Sequence, residues 1–177
     1  MNQDSRESVT EFEVVETSNR SAVDRLMLSW LGRLHNAQSG HYTQSEKLYK
    51  TANRTGYSLI VSSTIVTAML FMDAQGAWKY LMVFMSIVSA ALSGVVSFAR
   101  FAEKAEQHRS AAGCYGKLRR QLEKLEAVKT TLSDSELDKK LKILRIEWEY
   151  TSQNAPLTPL SAIERVKRLE RVSPKTN

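Results

Sequence analysis

The sequence predicts an all-α membrane protein, in which a two-helix transmembrane hairpin carries cytoplasmic helical extensions. Two runs, residues 55–72 and 80–99, contain no Asp, Glu, Lys, Arg or His, although 25% of the chain is charged. The chain has only 7 Gly and 3 Pro and little alternation of apolar and polar residues, so strands are not predicted. A length of 177 residues leaves room for one ordinary domain or one membrane hairpin with helical attachments.

The chain is basic, with a formal net charge of +6 and a pI of about 9.5. A basic chain can bind nucleic acid, but much of the positive charge lies beside the apolar runs or on a short terminal helix. That distribution suits anionic lipid headgroups, so we predict membrane lipids and no nucleic acid as partners. The single cysteine, Cys114, cannot form an intramolecular disulfide, which favours a reducing compartment.

Two segments precede the hairpin. Residues 1–19 lack a helical stripe and the basic start and apolar core of a signal peptide, so we predict a mobile acidic tail. Residues 20–54 are predicted as cytoplasmic juxtamembrane helices, because apolar residues recur at spacings of three and four over residues 21–37. The polar stretch 38–44 is interpreted as a kink or a turn. From about residue 45 a further helical run is expected, which is either a separate helix or the cytoplasmic extension of the first membrane helix.

The transmembrane helical hairpin is assigned to residues 55–99. As α-helices its two uncharged runs span about 27 Å and about 30 Å, close to the thickness of the hydrocarbon core of a bilayer. The connector, residues 73–79, is too short for a domain and contains Gly76, which permits a turn. The two helices are therefore expected to run antiparallel.

Basic residues set the predicted orientation. The connector contains only Lys79, whereas the flanks within about 15 residues of the hairpin contain Lys47, Lys50, Arg54, Arg100, Lys104 and Arg109. The positive-inside rule places the more basic side in the cytoplasm. Both termini are therefore predicted to be cytoplasmic.

Residues 100–155 are predicted as a cytoplasmic helical hairpin. Its first helix is expected to continue the second membrane helix without a break, although Gly113 and Gly116 lower the helix propensity and allow a bend. Ser133 and Glu136 have the spacing of a capping box that opens the second helix.

A short basic helix and a polar tail are predicted over residues 156–177. Pro156 and Pro159 end the preceding helix. Ser161 and Glu164 repeat the capping-box spacing and are expected to open a helix over residues 162–172.

A row of hydroxyl side chains in the second membrane helix is the most informative pattern. Its members recur at helical spacing and fall on one side of the helix: Ser86, Ser89, Ser93 and Ser97. One interpretation is close helix packing, because small residues let backbones approach each other. The other is a pore-lining seam, which would require a homo-oligomer, since two helices cannot enclose a channel. The two interpretations are compatible.

No arrangement of residues indicates an enzyme, a metal site or a cofactor site. The three histidines, His35, His41 and His108, lie on segments that need not converge. Arginines with aromatic neighbours can receive a phosphate and a base. The candidate residues for binding a ligand or a partner are Arg33, His35, His108, Arg109, Tyr115 and Arg119.

Residues 28–125 resemble the SLATT family of bacterial two-transmembrane effector domains. The resemblance is carried by the uncharged hairpin, by Trp30–Leu34 upstream, and by the His, small residues, Tyr and Leu of His108–Arg119. It implies a non-enzymatic, membrane-permeabilising effector in the bacterial inner (plasma) membrane, acting in antiviral defence that uses nucleotide second messengers. It also implies that a cyclic nucleotide or a nucleotide-sensing protein acts as the trigger.

Three hypotheses follow for the function. The first is a gated, oligomeric effector that forms a pore or disrupts the membrane when its cytoplasmic helices are triggered. The second is a non-conducting membrane scaffold whose cytoplasmic helices recruit a partner. The third, a soluble helical protein that binds nucleic acid, is disfavoured by the two uncharged runs.

Overall fold

A computed structural model describes residues 4–72 and 75–172, with side chains described from residue 20 onward except for some in the last helix. No strand occurs in these described residues, which confirms the all-α prediction. A short 3₁₀ turn, Lys129–Thr131, accompanies five α-helices: α1 Asp4–Phe71, α2 Ala77–Ala99, α3 Phe101–Val128, α4 Asp134–Asn154 and α5 Leu160–Val172.

Helix α1 is longer than the sequence pattern predicts. Residues 4–19, predicted as a tail, are helical, since extending an existing helix costs much less than nucleating one. Helix α1 continues through residues 38–44, so the predicted turn does not occur there, and residues 45–54 belong to the same helix as the first apolar run. Gly40 is buried in this stretch.

The first of two compact units contains Met1–Ser39 and Ala112–Ala155. Its core forms where the apolar stripes of α1, α3 and α4 meet, and its buried members are Met27, Leu34, Tyr115, Leu118, Leu122, Leu125, Leu137, Leu141 and Leu144. The predicted capping box opens α4: the Ser133 side chain accepts from the Glu136 N–H, and the Glu136 carboxylate accepts from the Ser133 N–H. This part of the predicted helical hairpin therefore forms from local sequence signals.

Gly116 allows a close approach inside the first unit and does not bend α3. A Cβ atom at this position would lie 2.7 Å from the side-chain nitrogen of Gln38, well inside van der Waals contact. The helix continues unbroken through both Gly113 and Gly116. The low helix propensity of glycine is therefore overcome here by packing.

The second unit contains Gly40–Ala111 and Pro156–Asn177. Within it α1 and α3 run antiparallel, because His41 pairs with His108 while Ser45, further along α1, donates a hydrogen bond to the Ala105 carbonyl at 2.8 Å. Helix α5 also belongs to this unit. It begins at Leu160, earlier than the predicted start at residue 162, so the proposed cap at Ser161 is wrong.

A single residue separates α2 from α3, contrary to the predicted unbroken continuation. Arg100 has φ 46° and ψ 45°, a left-handed conformation that commonly ends a helix and usually selects glycine. Its carbonyl accepts the Lys104 N–H at 3.0 Å, and its guanidinium pairs with the Glu103 carboxylate. Because the residue is arginine, the sequence carries no glycine signal for this helix end.

Candidate functional site

The second unit exposes a long apolar surface on α1 and α2. Among the described residues, the helical run that starts at Ala77 contains a window with a mean hydropathy of 2.1, long and apolar enough to cross a membrane, and none of that window is buried. Phe98 is 90% exposed and Ile87 is 64% exposed. On the last turns of α1, Phe71 is 89% exposed. Large exposed apolar surfaces of this kind require a bilayer or a protein partner.

Each apolar run also has one narrow stripe that is shielded from solvent. On α1 the shielded positions recur at spacings of three and four, at Leu59, Ser62, Val66 and Met69, and on α2 they include Met82, Met85, Ser86, Ser89 and Leu92. This spacing is typical of a helix that packs along one face. Each run therefore has one packing face, and the rest of its circumference is exposed.

The predicted serine row is divided by this packing. Ser86 and Ser89 are half-buried on α2, whereas Ser93 and Ser97 are exposed. The Ser86 hydroxyl donates to the Met82 carbonyl at 2.9 Å. Such a bond satisfies the hydroxyl proton inside the helix and leaves the oxygen lone pairs as acceptors.

Two histidines that the sequence analysis left apart form a buried pair. The Nδ1 atoms of His41 and His108 lie 3.0 Å apart, and each side chain is only 5% exposed. The Thr158 hydroxyl lies 3.3 Å from His41 Nε2. The sequence left open whether the histidines converge, and the structure brings these two together. Their similar distances in sequence from the connector could have indicated the pairing, since antiparallel helices bring such positions together.

The environment of this pair keeps both rings neutral at pH 7. Burial, together with the nearby charge of His108, lowers the pKa of His41 to about 4. Burial also lowers the pKa of His108. One ring can then donate its Nδ1 proton to the Nδ1 lone pair of the other, which satisfies both buried atoms.

The remaining predicted binding residues are divided between the two units. In the second unit Arg109 lies 3.8 Å from the Glu106 carboxylate, and this carboxylate also accepts the Tyr49 hydroxyl at 2.6 Å. The hydrogen bond to Glu106 raises the pKa of Tyr49. Sequence reasoning did not single out Tyr49, which carries no distinctive pattern.

In the first unit the structure brings His35 and Arg119 together, with Arg119 Nη1 3.1 Å from His35 Nδ1. Arg33 lies over the ring of Trp148, 5.0 Å from its centroid. Tyr115 is a core residue with 6% exposure, and burial raises its pKa, followed by the charge of Cys114. A buried core position makes Tyr115 a packing residue, whereas Arg33 and His35 remain at the surface.

Two cavities of the first unit are lined partly by residues of α1. One, of about 380 Å³, is lined by Trp30, Arg33, Trp148 and neighbouring residues. The other, of about 310 Å³, is lined by charged groups that pair with each other, since Lys129 lies 2.6 Å from Asp24. In the part of the chain that the structure describes, no three His, Cys, Asp or Glu side chains are grouped as metal ligands.

No family model, curated protein or solved structure matches the chain. The resemblance to the SLATT family therefore remains a prediction from the residues quoted above.

Proposed function

We propose that the chain inserts in a membrane as a two-helix hairpin, with residues 55–72 and 80–99 as the spans. The exposed apolar surface of both runs carries this proposal, because water would strongly disfavour it. The antiparallel pairing of α1 and α3 supports it further. His41 lies opposite His108, so the two apolar runs extend from the same end of this helix pair and are joined by a short connector.

The charge distribution supports an orientation with both termini in the cytoplasm. Lys50 and Arg54, the last basic residues before the first apolar run, are exposed. Arg100 and Lys104, the first basic residues after the second apolar run, are exposed too. The connector side offers only Lys79. Exposed lysine and arginine beside a span favour retention on the cytoplasmic face.

The activity we propose is that of an oligomeric effector of bacterial antiviral defence, which forms a pore or disrupts the inner membrane. One hairpin uses one stripe of each helix for its own packing, and Ser93 and Ser97 of α2 stay exposed. A hydroxyl that faces lipid is stabilised when a second copy covers it, because it can then form a hydrogen bond to another helix that hydrocarbon does not offer. Assembly of several hairpins would place these serines at contacts between copies or along a pore.

Triggering must come from a cytoplasmic event. A cyclic nucleotide or a nucleotide-sensing protein would have to bind one packing of the helices more tightly than the other, since a ligand with equal affinity for both shifts nothing. Arg33 is an exposed cation for such a ligand, and Arg119, which contacts His35, is a half-buried one. Helix α1 is continuous from Asp4 to Phe71, so a displacement of its charged part would be transmitted along the helix.

Release of dye from vesicles tests this function. Purified protein in dye-loaded vesicles, with cyclic nucleotides added in turn, should release dye, and Ser93→Leu with Ser97→Leu should change the release. Ile87→Leu, at a 64% exposed position of the same helix, is the matched control and should behave as the wild type. Intact vesicles under every nucleotide, together with harmless overexpression in cells, would contradict an effector function.

The second candidate is a non-conducting scaffold, and the surface of α4 favours it. Ile143, Ile146 and Tyr150 follow each other at spacings of three and four, and they are 59%, 58% and 70% exposed. An exposed apolar stripe on a charged helix is typical of a protein contact. A scaffold predicts no dye release, and substitution of Ile146 by Glu would then abolish function without altering membrane insertion.

A further inference from the structure

Helix α5 lies against the second unit through one face. Ala162 and Val166 are 4% and 6% exposed, and their spacing places them on the same side of the helix. Ser161, Glu164, Arg165 and Arg168 are exposed and lie around the rest of the helix circumference. The helix is therefore held in place by its apolar face and presents its arginines to the surroundings.

One contact and the make-up of the second unit place α5 alongside α1. Before the helix begins, the Thr158 hydroxyl lies 3.3 Å from His41 Nε2. Because His41 lies at the start of the α1 segment that belongs to this unit, and α5 belongs to the same unit, α5 extends along the residues that follow His41. The pKa of Glu46, which is lowered first by its hydrogen bond from Lys50 and also by the charge of Arg165, agrees with this direction. Later positions on α5 thus lie beside later positions on α1.

This direction brings the end of α5 to the start of the first apolar run. At 1.5 Å per residue, α5 extends about 18 Å, and α1 rises about 21 Å between His41 and Thr55. Since Thr158 lies beside His41, the last turn of α5 reaches the level of Arg54 and Thr55. In the proposed membrane orientation that level is the cytoplasmic headgroup region.

Among the described side chains of this part of the second unit, basic groups outnumber acidic ones. Of the acidic groups, Glu46 pairs with Lys50 at 2.5 Å, Glu103 pairs with Arg100, Glu106 accepts the Tyr49 hydroxyl and Glu164 is exposed. The exposed basic side chains are Lys47, Lys50 and Arg54 on α1, Arg100 between α2 and α3, Lys104 on α3, and Arg165 and Arg168 on α5. The sequence of α5 contains two further basic residues, Lys167 and Arg171.

We propose that α5 is a lipid-binding arm, whose Arg165 and Arg168 bind the phosphates of anionic phospholipid headgroups beside the hairpin. The proposal rests on the membrane insertion proposed above. A guanidinium binds a phosphate through two parallel hydrogen bonds, and both arginines are exposed on α5. Neither arginine lines a described cavity that would enclose a small free anion.

Lipid binding by the full chain in detergent tests the proposal. We would measure the affinity for phosphatidylglycerol and for phosphatidylcholine by native mass spectrometry, in the wild type and in Arg165→Gln/Arg168→Gln. At about 1 kcal/mol per basic residue near the surface, the double variant should bind phosphatidylglycerol about tenfold or more weakly. Phosphatidylcholine binding should not change.

Two further variants separate a specific role from general charge. Lys139→Gln/Lys142→Gln removes the same charge from exposed positions of α4 and should bind phosphatidylglycerol as the wild type does. Arg165→Lys/Arg168→Lys should restore most of the affinity. Equal losses in the α4 and α5 variants, or no loss in the α5 variant, would overturn the proposal.

The remaining outcomes identify which proposal fails. Competition by inorganic phosphate at the same concentration as the lipid would indicate a site for free phosphate and would overturn lipid binding. Protein that stays in membranes during carbonate extraction but shows no preference for phosphatidylglycerol overturns the role of α5 alone. Protein that carbonate extracts from membranes overturns the hairpin as well.

Discussion

The Nδ1 atoms of His41 and His108 lie 3.0 Å apart in a buried contact between α1 and α3. When both rings are neutral, one Nδ1 carries a proton and donates it to the lone pair of the other Nδ1. A second proton would place two positive charges next to each other in a site where each side chain is 5% exposed. Both burial and repulsion then oppose protonation.

Acidification should therefore destabilise the chain. The pKa of His41 is about 4 in the folded chain, against an ordinary value of 6.5. Between these values the unfolded chain binds more protons, so the stabilisation is fully present above pH 6.5 and is lost as pH falls towards 4. We expect a loss of about 1–3 kcal/mol, measured by urea unfolding of the detergent-solubilised protein from pH 7.5 to 4.5.

The variant His41→Gln is the comparison for this pH series. It should be less stable than the wild type at pH 7.5 but should lose less stability on acidification, because one of the two titrating rings is gone. His108→Gln should reduce the pH dependence in the same direction, because burial also lowers the pKa of His108. An unchanged slope in His41→Gln would mean that other groups cause the acid sensitivity.

The core of the first unit should be sensitive to truncation. Leu122 is 0% exposed, so Leu122→Ala should destabilise the protein by about 2–5 kcal/mol through lost apolar contacts and the cavity left behind. Ile143→Ala, at a 59% exposed position of α4, should cost much less. Urea unfolding followed by tryptophan fluorescence reports both, since Trp30 and Trp148 pack against the core. Similar costs for the two variants would show that the assigned core is wrong.

Arg100 should tolerate glycine better than a β-branched residue. At a φ of 46°, a residue with a Cβ atom has a conformational free energy about 1–2 kcal/mol above its usual value. The penalty is larger for valine, which is β-branched. We expect Arg100→Gly to be about as stable as the wild type, because the removal of backbone strain offsets the loss of the ion pair with Glu103. Arg100→Val should be clearly less stable in thermal unfolding. Equal stability of the glycine and valine variants would contradict a left-handed residue between α2 and α3.

Features that depend on nearby residues could be predicted from the sequence. The apolar stripe of α1 around Met27 and Leu34 and the capping box at Ser133 lie within one or two turns of the residues that signal them. The start and end of α4 follow from the capping box and from Pro156. Such elements need no knowledge of distant contacts.

Features that depend on contacts between distant segments could not be predicted in the same way. The pairing of His41 with His108 requires the register between α1 and α3, and a lone histidine carries no signal for its partner. Gly113 and Gly116 were interpreted as places where α3 can bend, whereas the helix continues through both and Gly116 packs closely against Gln38. The helix end at Arg100 lacks the glycine that usually marks it.

The central claim, a hairpin with both termini in the cytoplasm, is tested most directly by cysteine labelling in right-side-out spheroplasts. The natural Cys114 is exposed on α3, and Gln75→Cys in a Cys114→Ser background places one thiol in the connector. A membrane-impermeant maleimide should label the cysteine at position 75 in intact spheroplasts and Cys114 only after lysis. Labelling of Cys114 in intact spheroplasts, or recovery of the protein in the soluble fraction without detergent, would contradict the account.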